Sequence, residues 1–427
     1  MAAGAPMSAA PGPTVAGFGP ERPLAVIGIG ADGWDGLGGA ARREIAACEV
    51  LLGSARQLAL IPEGETGAER VPWPSPLVPA LPGLLARYAG RRLGVLASGD
   101  PMFFGIGVTL TKLVGAQALR VLPQPSSVSL ACARLGWALN ETPVVSAVGR
   151  RVETVLPELS GGRRLLVLSS DEHTPAQLAE LLARNGFGAS ALTVLEQLGG
   201  PAERVVDGIA ARWDHQPGDA LNIVAVECAA DPDAPRLTRV PGLPDEVYGG
   251  DGQLTKSEVR ALTLSALAPA PGELLWDVGG GSGTIAIEWC RTHPSARAIA
   301  FERMQSRRKQ IAANATSLGV PGVEVAGPAP ESFAELPAPD AIFIGGGLTQ
   351  DGMFDACWAR LRPGGRLVAS AVTAESDALL LRLAGRHGGS LRRFQIYRAE
   401  PLGGFTAWRP QLPVTQWSVV KPVAAQY

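Results

Sequence analysis

Short apolar runs alternate with amphipathic stretches along most of the chain. Compact runs rich in branched apolar residues predict strands at Leu24–Ile29, Arg92–Ala97, Arg164–Leu168 and Leu221–Val226. Apolar positions at helical spacing predict helices between them at Ala40–Ala47, Ser127–Leu135 and Thr174–Asn185. This alternation is typical of a layered α/β fold.

A second series of the same kind occupies the last part of the chain. It predicts strands at Glu273–Val278, Ala296–Phe301, Asp340–Ile344 and Gly365–Val372, and helices at Thr284–Arg291 and Arg303–Leu318. Beyond Leu391 the pattern becomes β-like, which predicts an antiparallel hairpin near Thr406–Lys421. That hairpin either joins a sheet with another subunit or packs on its own domain.

The two series are separated by a stretch without periodicity. Residues 231–250 are rich in proline and glycine, as is typical of a linker. The 427 residues exceed one ordinary core, and the two halves do not repeat each other. We therefore expect two different α/β domains, at residues 21–230 and 251–427, after a disordered tail at residues 1–20.

Composition restricts the classes of partner. Lys and Arg number 38 against 40 Asp and Glu, so no global field attracts nucleic acid or an anionic membrane. The cysteines are scattered and the histidines lack ligand spacing, which argues against a disulfide framework or a metal site. No apolar run approaches the ~18 residues of a membrane span, and the N-terminus lacks the pattern of a signal peptide. We expect a cytoplasmic protein.

Candidate chemistry lies where the first strand of the second half ends. Asp277 is followed by the glycine-rich run Gly279–Gly283 and then by a helix. Glycines allow a sharp turn close to a ligand, and a helix start offers unpaired N–H groups. Glu302 ends the next strand, where a carboxylate can accept both hydrogen bonds of a ribose diol. The pattern predicts a nucleotide site.

Two ligands compete for this site, a dinucleotide and S-adenosyl-L-methionine. The glycines form G-x-G-x-G, whereas a dinucleotide site has G-x-G-x-x-G. Asp277 would repel a pyrophosphate but attract the ammonium and sulfonium groups of S-adenosyl-L-methionine. The charge pattern favours the methyl donor, with a tight turn that binds no ligand as the alternative.

Several stretches of the second half resemble the C-terminal domain of the decarboxylating precorrin-6Y C(5,15)-methyltransferase family. They are Gln253–Arg260, Trp276–Gly283, Pro330-Glu331, Asp340–Gly347 and Pro413–Trp417. The resemblance implies a Rossmann-like class I methyltransferase domain. It also implies a set of donor-binding residues, namely Thr255, Asp277, Gly279, Gly280, Gly281, Ser282, Gly283, Glu302 and Ala329. One departure is Ser370, which stands where we expect the family's asparagine.

The first half contains a G-x-G-x-x-G match at Gly28–Gly33. The context does not suit a dinucleotide, because Trp34–Gly36 intervene before the helix and Glu49 precedes the next strand instead of ending it. A two-domain NAD(P) oxidoreductase that uses this match is the alternative from another enzyme class.

The same half resembles the tetrapyrrole methylases, two-lobed α/β domains that hold the methyl donor between their lobes. The matching stretches are Val26–Gly30, Ser98–Pro101, Pro123–Ser129 and Ala131–Trp137. The resemblance implies donor contacts from Gly28, Gly30, Ser98, Gly99, Asp100, Ser126 and Ser127. In isolation Asp100 reads as an ordinary Asp-Pro turn, and Ser126 or Ser127 as a helix N-cap. Ser146–Arg150 lacks the histidine expected before its Gly-Arg pair.

Together the resemblances imply methylation of a precorrin at carbons 5 and 15, with decarboxylation of an acetate side chain, in corrin-ring (cobalamin) biosynthesis. A reduced tetrapyrrole is already nucleophilic, so alignment in a desolvated cleft suffices. No particular catalytic residue or metal is predicted. The substrate's carboxylates require cations, which we place at Arg150, Lys256 and Arg260, with solvated surface charges as the alternative.

Two further readings stay open. An RNA methyltransferase would use the same Asp277 bend, but the neutral charge and the absence of a basic stripe argue against it. A scaffold with vestigial pockets would not bind the donor. The oligomeric state also stays open, with a homo-oligomer that assembles through the C-terminal domain as one possibility.

Overall fold

The computed structural model describes residues 15–250, 252 and 254–423. They form two compact units. The first contains the chain up to Arg150 together with Gly161–Ala234, and the second contains Arg151–Ser160 together with the chain from Pro235 onward. No helix among the described residues is both long enough and apolar enough to cross a bilayer.

The first unit begins with a parallel sheet of order β3-β2-β4-β1-β5. Its strands are β1 (Leu24–Ile29), β2 (Val50–Gly53), β3 (Glu69–Pro72), β4 (Leu93–Ser98) and β5 (Leu119–Leu122). Its helices are α1 (Gly33–Gly36), α2 (Gly39–Ala47), α3 (Ala55–Ala59), α4 (Leu77–Tyr88) and α5 (Ile106–Val114). Hydrophobic clusters cover both faces of this sheet, which explains why its central strands are continuous apolar runs in the sequence.

The second sheet of this unit is mostly antiparallel and has the order β6-β7-β10-β8-β9. Its elements are α6 (Ser127–Leu135), β6 (Val144–Ser146), β7 (Arg164–Leu168), α7 (Thr174–Arg184), β8 (Ala191–Glu196), β9 (Arg204–Ile209) and β10 (Asn222–Glu227). α6 packs its buried face against β7, β8 and β10. Two sheets in one unit match the expected two-lobed architecture.

The second unit has a seven-stranded sheet of order β13-β12-β11-β14-β15-β19-β16. Its first elements are α8 (Ser257–Leu267), β11 (Leu274–Val278), α9 (Thr284–Thr292), β12 (Arg297–Phe301), α10 (Gln305–Ser317), β13 (Glu324–Ala326) and β14 (Ala341–Ile344). The remaining elements are α11 (Met353–Arg360), β15 (Arg366–Ala371), α12 (Ala374–His387), β16 (Ser390–Phe394), β17 (Tyr397–Leu402), β18 (Phe405–Pro410) and β19 (Val414–Val420). β11 lies between β12 and β14 and pairs in parallel with both.

The expected closing hairpin is wrong in its pairing. β19 is antiparallel to both β15 and β16, so it belongs to the main sheet of its own unit. The hairpin forms earlier, from β17 and β18, which make a separate two-stranded sheet. The β-like pattern was therefore correct, but alternation does not specify which strands pair.

Three predicted boundaries need correction. Residues 1–14 of the expected tail lie outside the described residues, but Val15 is buried and its N–H donates to the Leu113 carbonyl at 3.1 Å, so residues 15–20 are not a tail. The linker is wrong from Pro235 onward, because Leu243 and Tyr248 are buried in the second unit's core. Arg151–Ser160, expected in the first domain, belongs to the second unit.

The N-terminal G-x-G-x-x-G segment also differs from expectation. Trp34–Gly36 do intervene before the longer helix, but they are themselves helical, because Gly33–Gly36 form the single helical turn α1. The longer helix α2 begins only at Gly39, close to its expected start.

Candidate active sites

In the first unit two neighbouring parallel strands end side by side. Ile29 of β1 lies opposite Ser98 of β4. A Cβ on Gly28 would lie 2.0 Å from the Gly99 carbonyl oxygen and 2.8 Å from the Gln124 amide nitrogen. Glycine is therefore required for this close approach of backbone segments.

A cleft of about 110 Å³ opens at these strand ends. It is lined by all the donor residues predicted for this unit except Gly28, namely Gly30, Ser98, Gly99, Asp100, Ser126 and Ser127. Leu168, Leu195 and Ile223 of the second sheet also line it. Both sheets of the unit thus contribute, as the resemblance implied.

Two of these polar residues are fixed by local hydrogen bonds. The Met102 N–H donates to Asp100 Oδ1 at 2.8 Å, which holds the carboxylate at the start of its turn. The Ser129 N–H donates to Ser126 Oγ at 3.1 Å, which makes Ser126 the N-cap of α6. The capping role considered for Ser126 is confirmed, and the same residue lines the cleft.

Arg56 is a cleft residue that the sequence analysis missed. Its Nη2 donates to Ser98 Oγ at 3.0 Å. Burial lowers the pKa of Arg56, and attraction to Asp219 opposes that shift. A partly desolvated guanidinium suits a carboxylate ligand. The sequence shows only the capping box of Ser54 and Gln57 that begins α3, which does not indicate that Arg56 faces a cleft.

Arg150 does not join this group. It is exposed in a turn after β6 and does not line the cleft. Its position fits the solvated surface charge that was its alternative.

In the second unit the predicted glycine bend follows β11 directly. The Gly279 and Gly280 N–H groups donate to the Phe301 carbonyl at 3.1 and 3.0 Å. Gly279 has φ +77°, and a Cβ there would lie 2.7 Å from the Gly346 amide nitrogen. The bend therefore lies against the segment that follows β14.

Glu302 connects the bend to the end of β12. Its Oε2 accepts from the Gly281 N–H at 3.0 Å, and its Oε1 accepts from the Met304 N–H at 2.8 Å. The side chain is buried. The structure thus places a fixed carboxylate beside the bend, as the spacing predicted.

Asp277 adds a second carboxylate in the same region. It is 1% exposed, and its Oδ2 accepts from the Ala286 N–H at 3.1 Å near the start of α9. Burial, with a smaller contribution from the charge of Glu302, outweighs the lowering effect of the Ala286 hydrogen bond and raises the pKa of Asp277 to about 7. Two close carboxylates without a cation disfavour each other's ionised form, so the site favours a cationic ligand.

The remaining predicted donor residues lie around this bend or beyond it. Ser282 is buried, and its carbonyl accepts from Asn314 Nδ2 at 2.9 Å. Gly283 is the N-cap of α9 in the left-handed conformation. Ala329 is half-buried against the core cluster that contains Trp276.

A separate cavity of about 320 Å³ opens in this unit. Thr255 and Lys256 line it, as does Ser370, which stands in place of the expected asparagine. Its walls are largely apolar, from Phe343, Phe394, Ile396, Leu412 and Val414. This size and character are typical of small-molecule sites.

The cavity and the glycine bend are connected through one short segment. Gly345 lines the cavity, and its N–H donates to the Val278 carbonyl at 2.9 Å. The adjacent Gly346 contacts Gly279 of the bend. The bend, Glu302 and Ala329 do not themselves line the cavity. The arrangement is therefore a charged bend with an apolar cavity next to it.

The predicted substrate role of Arg260 is wrong. The side chain is fully buried, with its Nε 2.8 Å from Glu288 Oε1 and its Nη1 2.8 Å from Asp245 Oδ1. It also donates to the Thr255 and Leu243 carbonyls and lies over the Tyr248 ring. Its hydrogen bonds are used inside the protein, where it fixes the segment before α8 to α9.

Arg398 lines the same cavity and was missed. It lies on β17, and its Nη2 is 2.8 Å from Glu258 Oε2 of α8. The two residues are 140 positions apart, so no local pattern indicates their contact.

Comparisons with known proteins agree with this two-part architecture. Residues 23–212 match the family described as Tetrapyrrole (Corrin/Porphyrin) Methylases, and residues 246–421 match the Precorrin methyltransferase domain. A precorrin-6Y C(5,15)-methyltransferase [decarboxylating] of Mycobacterium tuberculosis is 51% identical over 93% of this chain and 100% of its own length.

Two shorter relatives come from Salmonella typhimurium. A cobalt-precorrin-7 C(5)-methyltransferase is 32% identical over 43% of this chain and 88% of its own length. A cobalt-precorrin-6B C(15)-methyltransferase (decarboxylating) is 32% identical over 40% of this chain and 91% of its own length.

The fold, the two sites and the two domain matches define a methyltransferase in which a tetrapyrrole methylase is fused to a precorrin methyltransferase domain. The full-length similarity is more specific. The chain belongs to the precorrin-6Y C(5,15)-methyltransferase (decarboxylating) family.

Proposed function

We propose that the protein transfers methyl groups from S-adenosyl-L-methionine to carbons 5 and 15 of a precorrin and decarboxylates an acetate side chain, as a cytoplasmic enzyme of cobalamin biosynthesis. The observation that carries the donor assignment is Glu302, a buried carboxylate held against the glycine bend by the Gly281 N–H. Similarity across both units supports a precorrin as the acceptor.

The residues of the bend fit a cationic nucleoside. Glu302 uses one lone pair on each oxygen for a backbone N–H, so lone pairs remain for the hydroxyls of a ribose. Asp277 supplies negative charge, which favours an ammonium or sulfonium group and disfavours a pyrophosphate. When bound, the donor supplies an electrophilic methyl group. The protein's part is to hold donor and acceptor in line and to exclude water.

The first unit offers a second donor site of different design. Ser98, Asp100 and Ser126 present polar groups to its cleft, and Arg56 adds a guanidinium. A zwitterionic amino acid group has partners here for both of its charges, Asp100 for the ammonium and Arg56 for the carboxylate. The proposed donor contacts of Gly28, Gly30, Gly99 and Ser127 follow from their place at or beneath this cleft.

We assign carbon 15 and the decarboxylation to the second unit, and carbon 5 to the first. Two separate Salmonella typhimurium relatives carry the C(5) and the decarboxylating C(15) activity in their names, and each covers about the length of one unit. The largely apolar cavity of the second unit supports the assignment. Desolvation in an apolar cavity disfavours a carboxylate relative to neutral carbon dioxide.

Variants of the intact chain test this division. Glu302→Ala removes the ribose acceptor of the second unit, and Asp100→Ala removes the carboxylate of the first. With a labelled methyl donor and reduced precorrin, mass spectrometry of the products counts methyl groups and carbon dioxide lost. We expect Glu302→Ala to yield a product with one added methyl that retains its carboxylate. Asp100→Ala is expected to yield one added methyl with loss of carbon dioxide.

Two results would contradict these assignments. Continued release of carbon dioxide by Glu302→Ala at the wild-type rate would remove the second unit from the decarboxylation. If the unaltered protein transferred no label to the precorrin, the activity itself would be excluded.

We also propose that the protein assembles with copies of itself through the hairpin of β17 and β18. A two-stranded sheet is marginally stable alone in water, so an exposed one gains from a partner surface. Its exposed apolar side chains include Tyr397, Leu402, Phe405 and Trp408. A second copy presents the same surface, which can form a symmetric interface.

A further inference from the structure

Arg398 places a cation at the cavity of the second unit from an element outside the main sheet. It lies on β17, which pairs with β18 and not with the seven-stranded sheet. Its side chain is 37% exposed, and its Nε has no hydrogen-bond partner among the described residues. Part of its hydrogen-bonding capacity is therefore unused.

The ion pair that now engages Arg398 is a weak one. Arg398 Nη2 lies 2.8 Å from Glu258 Oε2, but both side chains are more than a third exposed. Pairs of this kind contribute little to stability, since solvent screens them. Arg260, by contrast, is fully buried within its own pairs. Arg398 can therefore exchange its partner at small cost, whereas Arg260 cannot.

Partial burial acts to raise the pKa of Glu258, but its backbone hydrogen bond and the one from Arg398 outweigh this effect and hold the pKa below the usual range. Glu258 is therefore ionised at neutral pH, and the pair with Arg398 is intact before an acceptor arrives.

A second cation stands beside Arg398. Lys256 Nζ lies 3.5 Å from Asp245 Oδ2, and Arg398 Nη2 lies 4.0 Å from the same oxygen. Asp245 already accepts a hydrogen bond from the buried Arg260 at 2.8 Å. Lys256 and Arg398 thus share Asp245, whose charge is already partly neutralised by Arg260. Both cations lie next to the apolar cavity wall formed by Phe343 and Phe394. An apolar ring with carboxylates on its rim matches this combination.

We propose that Arg398 is a receptor for a side-chain carboxylate of the tetrapyrrole acceptor, and that on binding it exchanges Glu258 for this carboxylate. The inference rests on the proposed function of the second unit. A desolvated bidentate pair between guanidinium and carboxylate is stronger than the exposed pair it replaces. Lys256 adds a second positive charge at the same mouth.

Steady-state kinetics of Arg398→Ala in the intact protein test the proposal. A charge-assisted hydrogen bond contributes enough that its loss should raise the KM for reduced precorrin roughly ten- to hundredfold. We expect kcat to change much less, and the dissociation constant of the methyl donor, measured by calorimetry, to stay the same. Arg398→Lys should recover part of the loss, since it retains the charge without the bidentate geometry.

The matched control is Arg409→Ala. Arg409 lies on β18 of the same hairpin and forms an exposed pair with Glu400 at 3.0 Å, but it does not line the cavity. We expect wild-type kinetics from this variant. If Arg398→Ala and Arg409→Ala had the same KM while the unaltered protein methylated precorrin normally, the role of Arg398 would be refuted and the proposed function would stand.

Glu258→Gln separates a binding role from a structural one. If the pair merely holds the hairpin to α8, loss of either partner should raise the KM alike. If Arg398 must leave Glu258 to bind the acceptor, Glu258→Gln frees it, and the KM should fall or stay equal. A rise of the KM in Glu258→Gln that matched Arg398→Ala would overturn the exchange.

Discussion

The charge of Asp277 has opposite effects on the stability of the ligand-free protein and on the binding of a cation. The carboxylate is almost fully buried and faces the charge of Glu302, so its ionised form is disfavoured in the folded protein without a ligand. A bound cation would relieve the conflict. The residue therefore destabilises the ligand-free protein at high pH in return for affinity toward a cationic donor.

We predict that Asp277→Asn stabilises the ligand-free protein above neutral pH and weakens donor binding. The folded-state pKa of about 7 lies above the ordinary aspartate value of 3.8, so the folded protein holds its proton more tightly. Stability is then lost as pH rises between these values, and the loss is complete above them. An asparagine does not ionise, and its oxygen can still accept from the Ala286 N–H. Each kcal/mol recovered should raise Tm by about 2–4 °C.

Thermal melts at pH 8 and near pH 4, with calorimetric titration of the donor, measure both effects. The gain in Tm should be present at pH 8 and absent near pH 4. Asp351→Asn, at an exposed carboxylate of the same unit, is the control and should show neither effect. A variant that gained no stability at pH 8, or bound the donor as before, would contradict this account of Asp277.

Glu302 and Arg398 show how far single residues could be predicted. Glu302 follows the bend at a spacing set by one helix and one strand, so a local pattern located it. Arg398 meets Glu258 across 140 residues, and only the folded hairpin brings them together. The error at Arg260 has the same origin. The sequence correctly placed Arg260 beside Thr255. The helical pattern around Arg260, however, does not reveal that the distant Glu288 and Asp245 form ion pairs with it.

The bend after β11 depends on backbone conformation more than on side chains. Gly279 has φ +77°, a region that side chains rarely adopt, and its α-carbon lies close to Gly346. The bend thus needs glycine for two independent reasons, conformation and close approach.

We predict that Gly279→Ala weakens donor binding more than its cost in conformation alone would explain. A Cβ there would lie 2.7 Å from the Gly346 nitrogen, so one of the two segments must move. Gly272→Ala is the matched control, because Gly272 has φ +83° but no atom within 4 Å of its Cβ position. In both variants the free energy of unfolding should fall by about 1 kcal/mol or more, because alanine is strained at a positive φ. Donor affinity, measured by calorimetry, should fall only in Gly279→Ala.

Equal donor affinity in Gly279→Ala and the unaltered protein would show that the contact with Gly346 has no part in the site. An equal loss of donor affinity in Gly279→Ala and Gly272→Ala would show that conformational strain alone is responsible.

Elements with strong local signals were predicted closely. Bounds for β1, β7 and α6 agree with the expected Leu24–Ile29, Arg164–Leu168 and Ser127–Leu135. In each of these three elements, apolar residues recur at a regular spacing up to a turn or a helix cap, which marks the end of the element. Pairing was not predictable in the same way, since β19 joins β15 and β16 through register with strands distant in the sequence. Arg151–Ser160 was misassigned because a short segment carries no sign of the unit on which it packs.

The hairpin of β17 and β18 combines two proposed roles. It carries Arg398, which lines the cavity, and it exposes Phe405 and Trp408 at 83% and 72%. Large apolar side chains at such exposure are unfavourable in water and mark surfaces for association. A copy that covers these side chains would also fix the hairpin, and with it the position of Arg398. Assembly and acceptor binding are then coupled through one element.

We therefore predict that Phe405→Ser with Trp408→Ser lowers both the oligomeric state and the affinity for the acceptor. Sedimentation velocity should show a smaller species than the unaltered protein at equal concentration. The KM for precorrin should rise severalfold, because an uncovered hairpin holds Arg398 less firmly, while the donor dissociation constant stays the same. Leu381→Ser, which alters an exposed apolar residue on α12 of the same unit, is the control and should change neither quantity. An unaltered protein that sediments as a monomer would exclude assembly through this hairpin. A smaller species with an unchanged KM would instead leave the interface in place and separate it from acceptor binding.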